Sequence, residues 1–235
     1  MQNRLLAALA KPELERLQSN LELIHLSVGE TIYESGIRQE FVYFPTTAVI
    51  TLLYMMEDGE SAEIASIGNE GVVGISLFMG GHTASNSAIV QRAGYAFRLR
   101  GHFLKTEFDR AGALLRLLLR YIQALITQMT QIAICNRHHH VDQQLSRLLL
   151  QNIDRSTSNT LVMTQQMIAN SLGLRRERIT EAASKMQRQK LIQYSRGNID
   201  ILDRTLLEKN VCECYWVIRQ EFEHIMNLKP DHQTA

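Results

Sequence analysis

Residues 164–190, TQQMIANSLGLRRERITEAASKMQRQK, carry two helical patterns on either side of a glycine. Thr164 suits an N-cap, because its hydroxyl can accept a hydrogen bond from a backbone N–H of the first turn. Met167, Ile168 and Leu172 form one buried stripe, and Ala169 is small enough for close contact with a second helix. Gly173 permits a sharp turn, and Leu174 anchors that turn in a core. The second pattern, Arg175 to Gln189, buries Ile179, Ala183 and Met186 and leaves Arg175, Arg176, Glu177 and Arg178 on its N-terminal turn. The layout is that of a helix-turn-helix.

Charge follows the same geometry. Arg175, Arg176, Arg178, Lys185, Arg188, Lys190 and Arg196 face only Glu177 and Glu181 between positions 175 and 196. The whole chain carries a formal net charge of only +1. Affinity for a polyanion must therefore come from this local module. In a major groove, arginine can bond bidentately to guanine and glutamate can accept from cytosine. The following stretch, Leu191 to Leu202, reads as a two-stranded wing with its tip at Arg196-Gly197-Asn198. Thr164, Gln166, Arg175, Arg176, Glu177, Arg178, Glu181, Lys185, Arg188 and Arg196 are the residues expected to face DNA. A solvated helix in some other bundle is the rival reading, and the turn glycine and the wing weigh against it.

Upstream, the period changes. Leu23–Ser27, Thr31–Tyr33, Phe41–Phe44, Val49–Met56, Ser61–Ile67, Ser87–Gln91 and Tyr95–Leu99 are short, β-branched or aromatic segments separated by turn residues. Glu57-Asp58-Gly59-Glu60 suits a tight hairpin turn. The spacing predicts a small antiparallel barrel or sandwich over residues 1–110. Residues 111–140 form a long helix and hinge. There Leu115, Leu118, Ile122, Leu125, Met129, Ile132 and Asn136 alternate spacings of three and four, the seam of a coiled coil. Leu117, Leu119, Tyr121 and Ile126 add apolar surface outside that stripe, so one face is expected on the barrel and the other on a second copy. Residues 141–235 hold the helix-turn-helix, the wing and an extra C-terminal helix from about Thr205 to Met226.

The chain has 235 residues, 45% of them hydrophobic and 21% charged, which is ordinary for a globular protein. No apolar run approaches the roughly 18 residues of a membrane span, so no membrane partner is expected. The N-terminus, MQNRLLAALAKPELERL, reads as an amphipathic helix and not as a leader. Three cysteines, Cys135, Cys212 and Cys214, are too few for a disulfide framework, which fits a reducing cytoplasm.

Barrel, long helix, helix-turn-helix and wing, in that order, resemble the CRP/FNR family of bacterial transcription regulators over roughly residues 15–202. The resemblance implies an α+β fold: a cyclic-nucleotide-binding-like antiparallel β-barrel, a dimerisation helix and a winged helix-turn-helix. It also implies a homodimer on near-palindromic double-stranded DNA, with RNA polymerase as a partner if the protein activates. In the family an Arg-Glu pair on the recognition helix reads DNA, and Arg176-Glu177 matches it. A third reader, commonly arginine, falls at Glu181.

The glycine-rich stretch 71–90 corresponds to the family's phosphate-binding cassette, with an effector pocket implied at Gly74, Ile75, Ser76, Asn86, Ser87, Ala88 and Thr130. It departs from the cyclic AMP binders. Ile75 stands where they carry a glutamate for the ribose hydroxyl, and Asn86 stands where they carry an arginine for the cyclic phosphate. Met129-Thr130 supplies only one of their two adjacent hydroxyls. Without these charge-assisted pairs, cyclic AMP is not expected to bind tightly. The effector is expected to be another molecule, or none.

Among weaker signals, His138-His139-His140 stand at the hinge and point about 100° apart on a helix, so they do not form one chelate. In a continuous helix Cys212 and Cys214 project about 200° apart and cannot share a metal without unwinding. A packing role is expected for them, with no metal. Residues 1–134 hold no cysteine, which excludes the N-terminal cluster of iron–sulfur members. Haem stays open, with His25, His82 and His102 available. No catalytic arrangement is recognisable, so an enzyme is not expected. The alternative to a DNA-binding regulator is a ligand sensor acting through protein contacts.

Overall fold

The computed structural model describes residues 2–57, 59–156 and 158–227. Asp58 of the expected hairpin turn lies outside them, as do residues 228–235. The described residues form two compact units, one drawn from residues 2–52, 65–127 and 220–227 and the other from residues 53–57, 59–64, 128–156 and 158–219.

The first unit opens with helices α1 (Arg4–Ala7) and α2 (Lys11–Gln18). The N-terminal segment is thus two helices. Asn3 caps the first, and Pro12 sits in the opening turn of the second, where its missing N–H costs no helical hydrogen bond. Strands follow at β1 (Glu22–Leu26), β2 (Thr31–Tyr33), β3 (Phe41–Pro45), β4 (Val49–Met55), β5 (Ser61–Ile67), β6 (Ser87–Arg92) and β7 (Gly94–Arg100), with helix α3 (Ser76–Met79) between β5 and β6. Every expected strand is present within a residue or two.

They pair as two sheets, β1-β7-β3 and β2-β6-β4-β5, so the barrel is open. β1 and β3 both run antiparallel to β7, and β2 runs antiparallel to β6 with a register shift between Thr31 and Tyr33. Val42, Phe44, Val49, Ile50, Val90 and Leu99 fill the core between them. Helix α4 (Gly101–Asp109) follows β7 without a break. Glu107, on α4, is buried and accepts from Arg16 of α2 at 2.9 and 2.5 Å. That pair clamps α2 to the unit.

Helix α5 (Ala113–His138) contributes residues to both units. Leu118, Leu125 and Ile132 of the expected seam are buried within the chain itself. Leu115, Ile122, Met129 and Asn136 are half-buried, whereas Leu119 and Ile126 are 52% and 53% exposed. The apolar stripe left uncovered therefore runs 115, 119, 122, 126, 129, displaced from the seam that spacing alone suggests.

The second unit adds α6 (Val141–Asp154), β8 (Thr160–Val162), α7 (Gln165–Leu172), α8 (Arg176–Arg188), β9 (Ile192–Ser195), β10 (Asn198–Ile201), α9 (Arg204–Asn210) and α10 (Glu213–Asn227), the last completed in the first unit. Leu145, Leu149, Ile168, Ile179, Met186 and Ile199 anchor its core. Burying each such side chain contributes on the order of 1.5–3 kcal/mol. The wing has a third strand, in the order β8-β10-β9. β8 directly follows the polar run at residues 154–159. The expected continuous helix from Thr205 to Met226 is broken at Val211–Cys212. Asp203 caps α9, and the carbonyl of Cys212 accepts from Tyr215 N at 3.2 Å, starting a new helix. No helix among the described residues is long and apolar enough to cross a membrane.

Candidate nucleic-acid interface and neighbouring sites

The Thr164 hydroxyl accepts from Met167 N at 3.1 Å, so the cap read from sequence is made. Gly173 ends α7 in the left-handed region, at φ +62, where a side chain would be strained. Arg175 is the N-cap of α8, and Arg176, Glu177 and Arg178 occupy its first turn. All four are exposed, as are Glu181, Lys185, Arg188, Arg196, Thr164 and Gln166. Ile179, Ala182, Ala183 and Met186 take the opposite, buried face. The 3.6-residue period thus separates a buried anchoring face from an exposed charged face on one short helix.

Within this set the side chains differ in freedom. Lys185 Nζ is in close contact with Asp142 on α6, so part of its charge is already neutralised. Gln166 donates to Asn170 Oδ1 at 2.7 Å. Thr180, which sequence reasoning passed over, is exposed on α8 and donates to Gln165 Oε1 at 2.9 Å. That hydrogen bond links the two helices at their exposed face, and two uncharged polar residues carry no charge signal in the sequence. At the wing tip Arg196 and Gly197 both have positive φ, 50 and 82, the form of a tight hairpin turn. Gly59, Glu60 and Ser61, at the tip of the β4–β5 hairpin, line the same groove as Arg175–Arg178.

In the glycine-rich loop the glycines answer to the fold. A Cβ on Gly71 would lie 2.6 Å from Cε2 of Tyr121, whose hydroxyl donates to Val72 O at 2.8 Å. Gly74 has φ +95, and a Cβ there would sit 3.1 Å from Phe41 O. Asn3 Nδ2 donates to Gly71 O at 3.0 Å, tying the N-terminus to the loop. Ile75 is the N-cap of α3. Ser76 donates to Gln39 Oε1 at 2.9 Å, Asn86 donates to the Tyr33 hydroxyl at 3.3 Å, and Ser87 Oγ accepts from Ser35 N at 3.2 Å. Ala88 is buried in β6. Burial pushes the Tyr33 phenol up to about 12, so it stays a neutral partner for Asn86. Thr130, the remaining member of the implied pocket, is exposed on α5 and belongs to the second unit.

A further group of side chains meets in the second unit. Cys135, His139, Cys212 and Cys214 bring three sulfurs and one ring nitrogen within 4.8 Å of one another. Cys135 and Cys212 sulfurs are 3.6 Å apart, and Cys214 Sγ is 3.6 Å from His139 Nδ1. The hydrogen bond with Cys212, followed by the Arg147 charge, holds the Cys135 thiol well below the ordinary thiol range, against its burial. Sequence spacing hid this cluster, because Cys135 and Cys212 are 77 positions apart and the unwinding that frees Cys212 is a tertiary event. His138 ends α5 exposed, and His140 caps α6, so only His139 of the triplet takes part.

Comparison with known proteins agrees with this geometry. Residues 143–209 match the model of the Crp-like helix-turn-helix domain. A sequence search of curated proteins gives no match. Among solved structures, a transcriptional regulator of the Crp/Fnr family from Eubacterium rectale is similar with a TM-score of 0.69 at 18% identity, over 87% of this chain and 96% of that one. FixK2 from Bradyrhizobium japonicum is similar with a TM-score of 0.71 at 16% identity, over 82% of this chain and 98% of that one. The c-di-GMP-responsive global regulator CLP from Xanthomonas campestris gives 0.62 at 15% identity, over 83% of this chain and all (100%) of that one. Residues 143–209 thus form a Crp-like helix-turn-helix domain, and the chain as a whole has the fold of solved regulators of the Crp/Fnr family.

Proposed function

We propose that the protein works as a homodimer that recognises a near-palindromic DNA site. Each α8 would lay Arg175–Arg178 into one major-groove half-site, with Arg196 of the wing on the flanking phosphates. The observation that carries this reading is the exposure of the whole first turn of α8 on a helix whose other face is core. Arg176 and Glu177 are the base readers, and Glu181 reads one turn further along. The dimer forms along the uncovered stripe of α5, through Leu119 and Ile126. The N-terminal unit answers to an effector other than cyclic AMP, or to none. What supports this is that Ser76, Asn86 and Ser87 already bond to neighbouring residues, and that no arginine lies in 71–90. RNA polymerase is a partner if the protein activates.

The test is selection of bound sequences from a random DNA pool, followed by affinity measurements across a salt series. Wild type should select a two-fold site, and its affinity should fall steeply with salt. Arg176→Ala should lose about 1–3 kcal/mol and relax preference at one base pair in each half-site. If the variant and wild type select the same sequences with equal affinity, α8 is not the reading helix. Protein contacts through the winged domain would then be the better account.

A further inference from the structure

We propose that Cys135, His139, Cys212 and Cys214 form a tetrahedral site for zinc(II) or another thiophilic divalent ion. The donors come from two places. Cys135 lies in the last turn of α5 and His139 directly follows its end, where the His139 N–H still donates to Cys135 O at 3.1 Å, so the two side chains are neighbours at a spacing of four. Cys212 lies in the break between α9 and α10 and Cys214 in the first turn of α10, and that unwinding turns two thiols of a Cys-x-Cys pair toward one point.

The dimensions fit. A zinc–sulfur bond of about 2.3 Å at tetrahedral angles places sulfurs about 3.8 Å apart, and a sulfur and a nitrogen about 3.6 Å apart. The observed separations are 3.6 Å for Cys135 and Cys212, 3.6 Å for Cys214 and His139 Nδ1, and no more than 4.8 Å for any pair. The three cysteines are buried, at 0%, 2% and 0% exposure, so the site would be closed to solvent as structural zinc sites are.

The surroundings fit as well. His139 turns its other nitrogen, Nε2, to Glu213 Oε1 at 3.3 Å. A carboxylate on the far nitrogen is the usual support of a metal-bound histidine, because it fixes the tautomer that leaves Nδ1 free to bind. Arg147 is 1% exposed and donates from Nε to Cys135 Sγ at 3.3 Å. Three thiolates and a divalent ion carry a net charge of −1, which the guanidinium offsets. A disulfide between Cys135 and Cys212 would account for neither Cys214 nor the Glu213–His139 pair. The soft, mixed sulfur–nitrogen donor set selects zinc over magnesium or calcium.

Full-length protein is stripped with a chelator under reducing conditions and titrated with cobalt(II), then with zinc(II). One equivalent of cobalt per chain should give the sulfur-to-cobalt charge-transfer band and the intense visible bands of a tetrahedral ion. Zinc should abolish both. Glu213→Gln, on an exposed side chain that spares the fold, should lower zinc affinity about 10- to 100-fold. Cys212→Ser should lose the tetrahedral spectrum while circular dichroism reports the same helix content. Absence of any tetrahedral cobalt spectrum in reduced wild type would overturn the proposal. So would an unchanged zinc affinity in both variants. A Cys135–Cys212 disulfide that forms readily in the stripped protein, with no metal uptake after reduction, would assign the cluster to redox chemistry instead.

Discussion

Gly71→Ala tests whether the glycine-rich loop is built for packing or for a ligand. The added Cβ would stand 2.6 Å from Cε2, 2.7 Å from the hydroxyl oxygen and 2.9 Å from Cζ of Tyr121. Carbon atoms pack best at about 3.5–4.0 Å, so the ring must withdraw by about 1 Å. It has little room to do so. Tyr121 is fully buried, its ring packs beside Phe222, and its hydroxyl is hydrogen-bonded to Val72 O at 2.8 Å. Overpacking of this kind costs about 1–3 kcal/mol. Losing the hydrogen bond adds about 0.5–1.5 kcal/mol. The expected loss is therefore roughly 1.5–4.5 kcal/mol. Urea unfolding followed by far-ultraviolet circular dichroism measures it. The same substitution in a Tyr121→Leu background, where the ring is gone, should cost at least about 1 kcal/mol less, because the two positions are in contact. A cost below about 0.5 kcal/mol, within the range of an ordinary surface change, would refute the steric account. Equal costs in the two backgrounds would refute it too.

Two other perturbations address the second unit and the proposed dimer. Burial raises the Glu63 carboxyl, while the Arg147 and Arg155 charges and a hydrogen bond with Ser171 pull it only part of the way back. A group whose folded value is raised supplies stability that is complete below its unfolded value and lost as pH rises through the folded one. Wild type should thus lose stability from acid toward neutral pH relative to Glu63→Gln, which keeps the neutral form; parallel pH profiles in urea unfolding would contradict this. Replacing Leu119 and Ile126 with glutamate should convert a dimer to monomers in sedimentation velocity, since both side chains are more than half exposed on α5. A dimer of unchanged affinity would place the interface elsewhere.

Much of the fold was legible because it depends on local rules. The cap at Thr164, the turn at Gly173 and the alternation of Ile179, Ala183 and Met186 with exposed arginines are properties of residues within a few positions of one another. Strand positions were equally readable, since β-branched runs between turn residues need no knowledge of partners. The exposed, basic face of α8 followed from the same short-range period. Strand pairing was less accessible. Two sheets in place of a closed barrel, and β8 added to the wing, depend on which edges meet.

Longer-range relations lay beyond pattern altogether. The repeat of three and four along α5 marks apolar positions but not who covers them, and Leu118, Leu125 and Ile132 turned out to belong to the chain's own core. The glycine-rich sequence around 71 and 74 does not say what stands against those glycines, and only the packed structure brings Tyr121 and Phe41 there. The cysteines look like packing residues on one helix until that helix breaks at Val211–Cys212. Period and composition specify helices, strands and the charge of a surface, because those reflect the backbone and its nearest neighbours. Convergence of Cys135, His139, Cys212 and Cys214 needs segments some 77 positions apart to be folded against each other, and only the packed structure sets that distance.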